Sequence, residues 1–450
     1  MLTRLFMVGY NINNIKITNP ILGGIIMSLI KDMSKDELLA LKKELEKKFD
    51  AFKAENHQLN MSRGKPSPQQ LDITEKKVNK LKNFVNYDEI DVRNYGGLSG
   101  LRSCRELLSD LTGVPADNIV MGGTSSLNLI YDAVAREFIF GSNGCKAWHK
   151  LDKVKFLCPV PGYDRHFAIL EEFGIEMINI EMDENGPDMD TVEKLAAEDE
   201  SIKGIMCVPL YANPNGVCYS DETSERLAKM KTAAKDFRLF WDNAYGIHHI
   251  YKETKLANIF ELCKKYGTQD RLLYFFSFSK VTYPGSSISM VAGSDNTVKE
   301  IIRRMSIQTI GHDKVNQLRH VELFKNAEGV YSHMRELAEV LRPKFDIVLD
   351  TLEKELKDTG LLTWNKPNGG YFISADTIEG CAKETIRLTK EAGVIMTDAG
   401  ATYPYKNDPK DTNIRIAPTY PSEEELQSAM NIFCVCVKLA GVNKLLGGKE

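Results

Sequence analysis

Lys280 follows the apolar run "LLYFFSFS", which makes its ammonium the first side chain to account for. A β-run of that composition calls for burial, and an amine at its end would lose hydration. Either the chain emerges into water there, or the amine is placed to give up its proton and act as a nucleophile. Four other apolar runs end in the same manner. "RLFW" ends on Asp242, with Tyr245 three residues on; the carboxylate is either a helix cap or a charge aimed at a ligand. "KFLCP" leads into "VPGYDRH", which carries Tyr163 and His166. "GIMCVPLY" leads into "ANPNG", a turn by composition that holds Asn213. "NIVM" leads into "GGTSS", where Gly123 lets backbone approach closely and Thr124 and Ser125 add hydroxyls. A helix starting there supplies free N–H groups and positive potential, the makings of a phosphate cradle or simply of an N-cap.

Positioning these groups falls to the elements around them. Glycine-bounded helical stretches ("LRSCRELLSDLTG", "SSLNLIYDAVAREFIFG") alternate with short strands ("KVKFLCP", "IEMINI", "GIMCVPL", "RLFWD", "LLYFFSF", "ISMVAGS"). That alternation predicts an α/β domain with a mostly parallel sheet. Ligands of open α/β sheets gather at the carboxyl ends of the strands. Upstream, "SKDELLALKKELEKKFDAF" opens with a capping box from Ser34 to Glu37 and carries Leu38, Leu41, Leu45, Phe49 and Phe52 at helical spacing. Downstream, a long helical stretch, "GVYSHMRELAEVLRPKFDIVLDTLEKEL", leads through "PNGGYFIS" to a closing helix, "SEEELQSAMNIFCVCVKLA". The expected organisation is a large domain over 91–335, flanked by a smaller α+β domain built from 27–90 and 336–450. Residues 1–26 are expected to be a disordered segment or an over-extended reading, with Met27 the start, because "GGIIM" can be encoded by a stretch containing a bacterial ribosome-binding sequence.

The 450 residues are 43% hydrophobic and 27% charged, which suits an ordinary globular protein of more than one domain. A net charge of −4 gives no basic surplus, so nucleic acid is not expected as a partner. No stretch reads as long and apolar enough for a membrane span. Nine scattered cysteines, without metal-ligand spacing, point to reduced thiols, a cytoplasmic location and no metal. Cys434 and Cys436, in an apolar helical run, read as core packing.

A phosphate cradle, an aromatic face, an amide or hydroxyl donor, a carboxylate and an amine together suit one ligand, pyridoxal 5′-phosphate. With "RGKPS", "NPNG", "PGYDRH" and "ATYPYKNDPKDTNIRIAPTYPS" added, the sequence resembles the fold type I PLP-dependent aminotransferases. Within them it is similar to the divergent aspartate aminotransferase-like group, from about Met27 to the C-terminus. The resemblance implies a large domain with a seven-stranded, mostly parallel sheet, and a homodimer with shared active sites. It implies that Lys280 holds the cofactor through its amine, that Asp242 faces the pyridine nitrogen and that His166 orients that carboxylate. Tyr245 and Asn213 would hydrogen-bond the phenolic oxygen, and Tyr163 would stack on the ring. Gly123, Thr124, Ser125 and Ser277 would hold the phosphate, with Tyr95 of "NYGGLSG" reaching in from a partner subunit. Arg415 of "NIRIAP" would clamp the substrate α-carboxylate beside Gly64. Many relatives carry an arginine seven or eight residues after the lysine; here Ser287 and Ile288 stand there, leaving the phosphate to hydroxyls, N–H groups and a helix N-terminus.

The activity implied is ping-pong transfer of an amino group from an L-amino acid, aspartate or glutamate, to 2-oxoglutarate or oxaloacetate. Two alternatives use the same scaffold: a PLP-dependent lyase, and a PLP-sensing regulatory module. The intact Lys280, Asp242 and Arg415 argue against the second. A dicarboxylic substrate needs a second cation. Arg63 and Lys65 of "SRGKPS" are candidates, as are Lys314 and Arg319 of "GHDKVNQLRH", which by position could cross from the partner subunit.

Overall fold

The computed structural model describes residues 29–78, 81–85 and 89–448; the expectation for residues 1–26 lies outside them. Its centre is an eight-stranded sheet in the order Ile119–Met121, Ser289–Ala292, Leu272–Ser277, Arg238–Asp242, Ile202–Cys207, Lys155–Val160, Glu176–Asp183, Gly186–Pro187. The run from Leu272–Ser277 to Glu176–Asp183 is parallel throughout. Ser289–Ala292 is antiparallel to both its neighbours. The eighth strand, Gly186–Pro187, is a two-residue hairpin return beyond the seven expected.

The central strands are apolar on both faces because helices cover both. In Arg238–Asp242, Leu239 and Trp241 join one core and Phe240 the other; Leu273 and Phe275 alternate likewise with Tyr274 and Phe276. Burying each such side chain contributes roughly 1.5–3 kcal/mol, so the central strands are held from both faces. Register in turn aligns the carboxyl ends: Asp242 is the last residue of its strand and Ser277 of the next.

Helix Lys35–Ala54 starts at the expected box, with the Ser34 hydroxyl accepting from Glu37 N–H at 3.3 Å and Glu37 accepting from Ser34 N–H at 2.8 Å. Its buried side, Leu38, Leu45 and Phe49, packs on the closing helix Glu423–Gly447. Leu59–Asn60 pairs in parallel with Val394–Ile395, a second join between the two ends of the chain. A three-stranded antiparallel sheet, Leu362–Trp364, Ile373–Thr377 and Asn413–Ile416, lies in the same part. The boundary expected at 335/336 falls inside one continuous helix, Ala327–Leu356, whose Leu337 belongs to the core of the large sheet and whose Leu341 belongs to the core of the chain ends.

One expectation is corrected. Helix Glu423–Gly447 is long and apolar enough to cross a membrane by length and composition. Two-thirds of its most apolar stretch is buried within the protein, Cys434 and Cys436 included, so its hydropathy serves the core.

Candidate active site

The strand ends and the C-terminal segment face each other across a cleft of about 570 Å³. Tyr163, Asn213, Tyr245, Lys280, Arg415, Gly64 and Arg63 all line it.

Asp242 is 4% exposed and closes its strand. His166, 2% exposed on helix Asp164–Glu172, brings Nε2 to 3.0 Å from Asp242 Oδ2. The other oxygen, Oδ1, has no partner among the described residues. A buried carboxylate oxygen without a donor is costly, so this one is shaped for a group brought from outside. The Tyr163 ring meets His166 edge-on at 4.9 Å, and burial pushes the Tyr163 phenol up to about 12.

Lys280 is half-buried, against the expectation of a buried amine, because the cleft that admits a ligand opens onto it. Its Nζ lies 5.0 Å from the Tyr245 ring centre and 5.8 Å from that of Tyr371. Tyr371 donates to the Lys280 carbonyl at 3.3 Å and accepts from Gln70 at 3.0 Å, fixing the backbone that carries the amine. Burial first, then the charge of Asp242, holds the Tyr245 phenol above its ordinary range, while a hydrogen bond with Asn213 pulls it down.

Beside Lys280, Ser279 donates to the Thr124 carbonyl at 2.8 Å and stands 3.2 Å from the Ser277 hydroxyl. That ties the "GGTSS" turn to the neighbouring strand end. Ser125 caps helix Ser126–Phe140 without accepting from a backbone N–H of its first turn, its hydroxyl donating instead to Asn128 Oδ1 at 2.8 Å, and a Cβ on Gly123 would meet nothing within 4 Å. Open space, hydroxyls and free N–H groups at a helix start make a fitting phosphate corner. Ser287 and Ile288, where an arginine was missing, are both buried.

Arg415 is buried at the far side, its guanidinium 4.9 Å above the Phe372 ring. Its Nη1 donates to Asn213 at 3.2 Å and to Asp164 at 2.9 Å, and Nη2 donates to Thr397 at 3.2 Å. A Cβ on Gly64 would come within 2.5 Å of Phe372 Cζ, so any larger residue there has to push the Phe372 ring aside.

Of the four candidate second cations, only Arg63 lines the cleft. Lys65 places its ammonium over the Tyr420 ring at 3.7 Å, and Arg319 is not in the cleft wall. Lys314 is buried, donating to the carbonyls of Asn94 and Gly96 at 2.8 and 2.7 Å. Its charge holds the loop on either side of Tyr95, which is 84% exposed and outside this chain's own cleft. Sequence reasoning missed Arg165, Lys406, Asp164, Thr397 and Phe372 in the cleft wall, and also Ser279, which braces the Thr124 turn. Asp164 and Arg165 stand inside the "VPGYDRH" motif, and Ser279 directly precedes Lys280. Phe372 stands in "PNGGYFIS", and Thr397 had no such signal.

The sequence model of the family described as aspartate amino-transferase matches residues 33–449. An aspartate aminotransferase of Corynebacterium glutamicum is 41% identical over 415 residues, covering 91% of this chain and 96% of its own length. The crystal structure of an aspartate transaminase from the same species matches with a TM-score of 0.90 at 41% identity, over 93% of this chain and 99% of that one. LysN, the α-aminoadipate aminotransferase of Thermus thermophilus, solved with N-(5′-phosphopyridoxyl)-L-leucine, has a TM-score of 0.70 over 92% of this chain and 97% of its own. At 18% identity, that match speaks for the fold alone.

Proposed function

Since the chain belongs to the aspartate amino-transferase family and is a transaminase, we propose that it carries the amino group of L-aspartate or L-glutamate to 2-oxoglutarate or oxaloacetate in ping-pong fashion, with pyridoxal 5′-phosphate as cofactor. The observation that carries the cofactor reading is Asp242, buried against His166 with one oxygen left over at a strand end. That oxygen suits a protonated ring nitrogen, the His166 ring orients the carboxylate, and Tyr163 offers an aromatic face beside them. Lys280 would hold the cofactor through its amine, Tyr245 and Asn213 would meet its phenolic oxygen, and Gly123, Thr124, Ser125, Ser277 and Ser279 would hold its phosphate. When bound, the cofactor supplies an electron sink for the bond broken at the substrate Cα.

The chain's own groups do the rest. Arg415 binds and orients the α-carboxylate, its planar fork matching that group. Lys280 Nζ, on the cleft side of the Tyr245 ring, is the base that removes the Cα proton and returns it. Arg63 at the mouth offers a charge to a distal carboxylate, which supports a dicarboxylic substrate. The exposed Tyr95, its loop held from below by Lys314, supports a homodimer in which each subunit lends a phenol to its neighbour's phosphate corner.

The test is a single half-reaction. Cofactor-loaded enzyme mixed with L-aspartate and no oxo acid is expected to release one oxaloacetate per chain and then stop, resuming when 2-oxoglutarate is added. Continuous release without an acceptor contradicts the ping-pong reading. A faster half-reaction with alanine than with aspartate contradicts the dicarboxylate reading alone.

A further inference from the structure

A guanidinium has five N–H donors, and in Arg415 four of them are already engaged by the protein. Nε and Nη2 reach the Thr397 hydroxyl at 3.4 and 3.2 Å, and Nη1 reaches Asn213 Oδ1 at 3.2 Å and Asp164 Oδ1 at 2.9 Å. Each Nη bears two hydrogens, which leaves one on Nη2. A carboxylate gripped by a fork needs two. A substrate carboxylate laid on Arg415 must therefore take a donor from a resident partner.

Asp164 is the partner built to yield. Thr397 and Asn213 are neutral, whereas Asp164 and an incoming carboxylate repel each other across one guanidinium. Its side chain is 31% exposed and lines the cleft, while Arg415 is 6% exposed and Asn213 is buried. It also has a second place to rest. Asp164 is the first residue of helix Asp164–Glu172, and the N-cap residue, Tyr163, makes no side-chain bond to the first turn. Free N–H groups and the positive end of the helix favour a short carboxylate there.

We propose that Asp164 is a displaceable ligand of Arg415: its carboxylate compensates the buried guanidinium and gives way to the substrate α-carboxylate, swinging to its own helix N-terminus. This rests on the reading of Arg415 as the α-carboxylate cation. Every carboxylate substrate then binds more weakly than the bare Arg415 fork would allow, and Asp164 sets by how much.

The experiment is calorimetric binding of succinate, an unreactive dicarboxylate, to cofactor-loaded wild-type enzyme, Asp164→Asn, Asp164→Ala and Arg415→Lys. Both Asp164 variants are expected to bind succinate about tenfold tighter, the scale of removing one like-charge contact screened by water, with the gain appearing in KM for aspartate. Arg415→Lys is expected to bind more weakly. If Arg415→Lys weakens binding but the Asp164 variants bind no tighter than wild type, Asp164 is a brace and the exchange is overturned. If Arg415→Lys leaves succinate binding unchanged, the reading of Arg415 fails and takes the proposal with it.

Discussion

His166 Nε2 stands 3.0 Å from Asp242 Oδ2, both side chains all but excluded from water, and Asp242 Oδ1 has no partner among the described residues. A carboxylate half-satisfied at a strand end, with an imidazole fixing its plane, is a charge held in readiness for a ligand cation. The structural cost of leaving that oxygen unpaired is of order 1–3 kcal/mol, a penalty with no return inside the protein itself.

Asp242→Asn keeps the volume and removes the charge. The variant is expected to fold and to bind cofactor, with kcat lower on the order of a thousandfold, the size of one lost electrostatic contact in the transition state. Steady-state kinetics with aspartate and 2-oxoglutarate measure it. An unchanged kcat means that another group meets the ring nitrogen.

Gly64→Ala tests the packing behind Arg415. The new Cβ would sit 2.5 Å from Phe372 Cζ, and Phe372 lies under the Arg415 guanidinium. The ring has to move, at a cost of about 1–3 kcal/mol for an overpacked site. The expected outcome is a modest fall in melting temperature together with a clear rise in KM for aspartate. A lower melting temperature with an unaltered KM would detach Phe372 from substrate binding.

Two buried histidines give the stability a pH signature. Desolvation, the leading cause in both, lowers His248 to about 3 and His320 to about 4. His320 is pinned as a neutral ring, Nδ1–H donating to the Asn316 carbonyl at 2.8 Å and Nε2 accepting from Thr282 at 2.9 Å. Each folded value lies below the ordinary ~6.5 of an unfolded histidine, so between the two the unfolded chain holds a proton that the folded chain refuses. Stability from this source is complete above about pH 6.5 and falls as the pH drops toward 4, by about 1.4 kcal/mol per unit for each ring. Denaturant unfolding at pH 7, 6 and 5 reads the slope, and His320→Gln is expected to flatten it by about one proton. A slope that the substitution leaves unaltered contradicts the assignment.

The strand-end groups were legible in the sequence because each follows an apolar run whose burial pattern announces where it ends. Asp242, Lys280, Tyr163 and Asn213 could be named in order before any fold was known. What stayed hidden were contacts between distant segments. Arg415 and Asp164 meet across 251 residues of sequence, Gly64 and Phe372 are likewise distant, and neither pairing leaves a periodic trace. Lys314, a candidate second cation in the sequence, is a further case: only the fold shows its ammonium held by the carbonyls of Asn94 and Gly96. The helix Glu423–Gly447 was read as core packing at Cys434 and Cys436, and both are buried, although by length and composition an all-round apolar helix serves a core or a membrane equally well.

The protein is proposed to carry an amino group from a dicarboxylic amino acid to an oxo acid, with Lys280 as the base that moves the Cα proton. Nitrogen-15 aspartate and unlabelled 2-oxoglutarate, incubated with cofactor-loaded enzyme and followed by mass spectrometry, test it most directly. The label is expected in glutamate, with one oxaloacetate for each glutamate formed, and no transfer by Lys280→Ala. Label released as ammonia, or full transfer by the Lys280→Ala variant, would contradict it.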